Sequence, residues 1–202
     1  MRKMERQKKK GLSNYGLAFA GPFRLSPLGR KQVGVTPAVE KYVHGFRAKG
    51  LKGLGIAKAI IKDTHNFGKV ALPKEEAVKV WGKRSAGEII ASRTVFINKE
   101  LAVAGCTDRA IVITASLRAA GFKAMIVNTD RHTYVKMLYR NKIWIVNTLA
   151  TQTSGIREMT EKDKKFEDNR RAAKAFAEAL SLPQMGINDY GDTAKFLYRK
   201  RH

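Results

Sequence analysis

Residues 105–127 read GCTDRAIVITASLRAAGFKAMIV, and residues 132–148 read HTYVKMLYRNKIWIVNT. In the first stretch a Gly-Cys pair precedes an apolar run holding Ala110, Ile111, Ile113, Thr114, Leu117 and Arg118, which ends at Gly121. That spacing predicts a helix beginning at the cysteine. Three β-like segments follow, Ala124–Asn128, His132–Tyr139 and Ile143–Asn147. Asn128-Thr129-Asp130-Arg131 and Arg140-Asn141-Lys142 supply turn residues between them. The stretch therefore predicts an α+β unit, one helix packed on a small antiparallel sheet.

Cys106 is the one cysteine of the chain, which excludes an internal disulfide and any multi-cysteine metal site. A thiol with a pKa of about 8.5 is mostly protonated at neutral pH, and the thiolate is the nucleophile. The start of a helix favours the anion and presents unpaired backbone N–H groups suited to an oxyanion. Gly105 permits close approach of a substrate backbone. Such a cysteine needs a base, and the base needs an orienting partner. Of the four histidines, His44 falls inside a predicted helix, His65 in a polar turn and His202 at the end of the chain. His132 opens a strand soon after the cysteine helix. If Arg140-Asn141 is a two-residue hairpin loop, Tyr139 faces Lys142 and Asn147 lies opposite Tyr134, on the same face as His132. A three-residue loop puts His132 and Asn147 on opposite faces unless a bulge intervenes.

Working outward, residues 1–10 carry six Lys or Arg against Glu5 and read as a basic tail, and residues 11–35 are rich in Gly and Pro and read as irregular. Thr36-Pro37 opens a helix with Val39, Tyr42, Val43 and Phe46 on one face, ending at Gly50. Further helices are expected over Gly55 to Lys62 and after Pro73, and Ser85-Ala86-Gly87-Glu88 fits a capping box. From Thr160 to about Leu180 the chain again reads as helix, with Pro183 as a stop. The domain reading is a basic N-terminal segment, 1–35, and a folded domain, 36–202, with its core at about 85–150 and a helical C-terminal part at about 160–202.

The chain carries 40 Lys+Arg against 17 Asp+Glu, a net charge of +23. That potential attracts nucleic acid, an anionic membrane surface or an acidic protein partner without choosing among them. No apolar run approaches the roughly 18 residues of a membrane span, and no secretory h-region is present, so the expected location is cytoplasmic.

The text from Ser85 to Ala150 resembles the core of the transglutaminase-like superfamily, a branch of the papain-like thiol enzymes. The resemblance implies a papain/transglutaminase-like fold with extra N- and C-terminal helices. It implies Cys106 as nucleophile, His132 as base and Asn147 as the third member, with Trp144 as the aromatic residue three positions before it. Trp81 is the candidate for an upstream oxyanion side chain. The chain departs from the family in having Asn147 where Asp is usual, and His132-Thr133-Tyr134 where His-x-Trp is usual. Asn accepts an imidazole N–H through its carbonyl but gives imidazolium no counter-charge. The implied reaction is attack on an amide or peptide carbonyl of a protein substrate, with the thioester released by water or by an amine. It needs no metal or other cofactor. The rival reading is a non-catalytic protein that keeps this core and binds nucleic acid through its basic surface.

Overall fold

The computed structural model describes residues 24–101, 103–129, 132–149, 155–172 and 176–187. The basic tail of residues 1–10 and the terminal Arg199-Lys200-Arg201-His202 lie outside the described residues. Ser26 starts the first helix among the described residues, α1 (Pro27–Val33), by accepting the Gly29 N–H on its hydroxyl at 3.1 Å, and proline suits the first turn because no donor is needed there. This corrects the irregular reading of residues 11–35 over Pro27–Val33, while residues 11–23 lie outside the described residues. Val33 is fully buried, so the core begins before residue 36. Gln32 fastens α1 to distant chain: its Nε2 donates to Gly82 O at 2.5 Å, and its Oε1 accepts the Leu182 N–H at 3.1 Å.

Helix α2 (Pro37–Arg47) begins as read, with the Thr36 hydroxyl as its cap. Helix α3 (Leu54–His65), strand β1 (Gly68–Ala71) and helix α4 (Lys74–Val80) follow. The capping box of Ser85 and Glu88 then starts α5 (Ala86–Ser92). Strand β2 (Thr94–Ile97) pairs in parallel with β1, a two-stranded sheet the sequence reading lacked.

The 14-residue helix α6 (Cys106–Ala119) is the centre of the molecule. Every residue from Thr107 to Leu117 is buried, because α1, α2, α3 and α5 pack on it together with strands β3 (Lys123–Thr129) and β4 (Thr133–Tyr139). A helix covered on all sides needs no polar stripe, which explains its apolar run. At its far end Arg118 donates to Ala124 O at 2.7 Å, Leu180 O at 2.7 Å and Val33 O at 3.4 Å, joining three segments; burial pushes its pKa down to about 10.

The main sheet is antiparallel in the order β6-β5-β4-β3-β7, adding β5 (Lys142–Val146), β6 (Ile156–Glu158) and β7 (Phe176–Ala179). The predicted hairpin register is present: Tyr139 pairs with Lys142 and Val135 with Val146. Arg140 and Asn141 both take positive φ, 51° and 59°, the conformation of a tight two-residue hairpin loop. Helix α7 (Glu161–Ala172) stops well short of Leu180, and Phe176–Ala179 is the edge strand beside β3. The helical reading of the C-terminal part is corrected there.

The inner sheet face is apolar, with Ala124, Ile126, Val135, Met137 and Val146 in the main core. The outer face carries Val127, Tyr134, Ile145 and Phe176. A charged cluster joins that face to α7: Lys136 Nζ donates to Glu167 and, at 2.7 Å, to Glu178, and the Tyr134 hydroxyl also donates to Glu167. Lys136 and Glu167 are each 1% exposed, and a buried pair survives only when its remaining donors and acceptors are met in this way. Among the described residues no helix is long and apolar enough to cross a membrane.

Candidate active site

Cys106 occupies the first position of α6, and Gly105 is its N-cap with φ at +76°. A Cβ on Gly105 would lie 2.7 Å from Val95 Cγ2, so both the turn and the packing demand glycine. Gly105 is itself buried, and its turn lets the chain enter the helix against β2.

His132 sits just before β4, and its backbone is pinned by Thr129. The Thr129 hydroxyl donates to His132 O at 3.0 Å, and His132 N donates back to it at 3.1 Å. On the ring, Nε2 lies 3.0 Å from Asn147 Oδ1. The same oxygen accepts the Leu149 N–H at 2.9 Å, which identifies it as the carbonyl end of the amide. Nε2 therefore carries the proton and Nδ1 is left as the acceptor nitrogen. The thiol of Cys106 responds electrostatically to this ring and to Thr133. Burial alone pushes the thiol up, but His132 and Thr133 together outweigh it, and the net position is below the ordinary cysteine value.

Three side chains the sequence reading passed over support this arrangement. Thr133 donates to Asn128 Oδ1 at 2.7 Å and lies 3.3 Å from the Thr107 hydroxyl, linking the helix start to β3 and β4. The Thr148 hydroxyl donates to Thr133 O and lies 3.4 Å from His132 Nε2. His65, read as a turn residue, ends α3 with its Nε2 at 3.2 Å from the Asn147 carbonyl oxygen. Burial lowers its pKa, so the neutral ring donates to that carbonyl. The parity of β4 was the available signal for Thr133, because residues that alternate with His132 face the helix.

Trp81 is 8% exposed and packs in the main core just after α4. Trp144 pairs with Met137 and packs against the same core, on the sheet face opposite to Ile145. Its buried Nε1 has no hydrogen-bond partner among the described residues. Among the described residues no group of three or more His, Cys, Asp and Glu side chains is placed to hold a metal ion.

A cleft of about 180 Å³ opens beside the ring of His132, lined also by Tyr134, Ile145, Asn147, Asp163 and Phe166. It touches His132 and Asn147 but not Cys106. Phe166 is 47% exposed there, and the rings of His132 and Tyr134 stack with centroids 6.2 Å apart. Compared with protein-family models, curated proteins and solved structures, the chain matches none of them.

Proposed function

We propose that this protein is a cysteine-dependent acyl-transfer enzyme of transglutaminase-like type, acting on a carboxamide or peptide bond. One observation carries the reading: the His132 imidazole is held at 3.0 Å by the Asn147 amide, and the same ring pulls down the pKa of the Cys106 thiol at the start of a long helix. Nucleophile, base and orienter are thus linked in series, the arrangement that activates a thiol.

In the reaction, Cys106 Sγ bonds to the carbonyl carbon and the thiol proton resides on His132 Nδ1. Backbone N–H groups at the start of α6 receive the oxyanion. The C–N bond breaks as His132 returns the proton to the leaving nitrogen, giving amine and thioester. Water then attacks the thioester, releasing the acid and restoring the thiol. Hydrolysis is preferred over amine transfer because water is always at hand. The cleft beside His132 is the space open to one half of the substrate in this reading, with Phe166 as its apolar wall.

Cys106→Ala tests the reading on a panel of glutamine- and peptide-based substrates. Turnover is expected in the wild type and none above background in the variant. Equal turnover in both, with the fold intact, contradicts it.

A second reading is favoured by the charge. Lys41, Arg47, Lys49, Lys52, Lys58 and Lys62 are exposed on and between α2 and α3. Such a face suits the phosphate backbone of a nucleic acid, with affinity falling steeply as salt rises. Binding of this kind persists in Cys106→Ala, which separates it from catalysis.

A further inference from the structure

Arg109 is 1% exposed, and its Nε and Nη2 have no hydrogen-bond partner among the described residues. A buried guanidinium keeps its proton, so the charge stays, and an unmatched buried charge is costly. Its location gives that cost a purpose. Arg109 stands three residues after Cys106 on α6, one turn along the same side, and helical side chains lean back toward the N-terminus. Nη1 accordingly donates to Ala104 O at 3.2 Å and lies 3.3 Å from where a Gly105 Cβ would be. The guanidinium therefore underlies the turn that delivers the thiol.

The surrounding charges are otherwise accounted for. Asp108, next in the chain, accepts the Phe96 N–H at 2.9 Å and Arg84 at 3.3 Å. His132 is bonded to the Asn147 side chain and His65 to the Asn147 carbonyl. Thr107 and Thr133 are neutral. Asn147 brings no negative charge to the thiolate–imidazolium pair of the proposed reaction. Among the described residues this leaves the Arg109 charge unmatched, and the Cys106 thiol one turn before it is able to gain a negative one.

We infer that Arg109 is the counter-charge of the Cys106 thiolate, a positioning residue that acts through Cys106 without touching substrate. The inference rests on the proposed thiol chemistry. Burial pushes the Arg109 pKa down while Cys106 and Asp108 push it up, as this arrangement requires. Where related chemistry places an acid behind the imidazole, this chain places a base behind the thiol.

The test compares full-length wild type, Arg109→Met and Arg109→Lys in two measurements: the pH dependence of Cys106 alkylation by iodoacetamide, and the thermal midpoint. In wild type the alkylation midpoint is expected below the free-thiol value of about 8.5. Arg109→Met is expected to raise it by about one pH unit, a tenfold smaller thiolate fraction at pH 6. Its thermal midpoint should be unchanged or higher, because an unmatched buried charge is gone. Arg109→Lys should keep most of the wild-type profile. A folded Arg109→Met with the wild-type alkylation profile overturns the inference and leaves the proposed function standing. Failure of Arg109→Met to fold also overturns it, since Arg109 would then serve the fold. An unshifted midpoint in wild type overturns both.

Discussion

Asn147 illustrates how much one side chain is made to hold. Its Oδ1 accepts from His132 and from the Leu149 N–H, its backbone N–H donates to Gly155 O at 2.7 Å, and its carbonyl receives His65. In the proposed reaction its part is orientation, because a neutral amide stabilises imidazolium less than a carboxylate does. Asn147→Ala should therefore lower kcat by roughly 10²-fold, the size of effect that misplacing a reacting group produces, with a smaller change in KM. Steady-state kinetics on a turned-over substrate checks this, and a change below twofold would remove Asn147 from the centre. The Cys, His and Asn were legible in the sequence because each follows a structural signal: a helix start, a strand start and a strand end in fixed register. His65 was not, since it reaches Asn147 from the end of a helix whose packing direction no local pattern reveals. Arg109 reads as an ordinary helix position until burial strips it of water.

Among the elements, the β4–β5 hairpin does the most to assemble the site. Its pairing keeps Ile145 and Tyr134 on one face, and the continuation of both strands brings Asn147 to His132. The loop depends on two non-glycine residues in left-handed conformation. Asn tolerates that region, whereas a β-branched residue does not. Asn141→Val is expected to destabilise the protein by about 1–2 kcal/mol, read as a lower urea midpoint. An unchanged midpoint would show that the loop does not hold the register. This register was legible from the turn residues and the alternation of the flanking strands. Strand β7 was not: Phe176–Ala179 lies in an Ala-rich stretch with helical propensity, and pairing with β3 overrides that local preference. Lys136 shows the same effect in charge, since a strand lysine reads as solvated until α7 covers it with Glu167.

For the whole molecule, the α+β class and the central helix followed from the sequence, while the layers around them depended on contacts between remote segments. Gln32 and Arg118 are the examples, each joining the N-terminal helix to chain near residue 180. The positive charge was plain in composition, and the fold adds that part of it lies on the exposed sides of α2 and α3, two helices that pack on α6.

 In the proposed function Cys106 is held as an activated thiol by His132. The most direct measurement is the pH–rate profile for alkylation of Cys106 in the wild type and in His132→Ala. The account predicts a wild-type midpoint clearly below about 8.5 and an upward move when the imidazole is removed. A wild-type midpoint at or above that value, unchanged in His132→Ala, would contradict it.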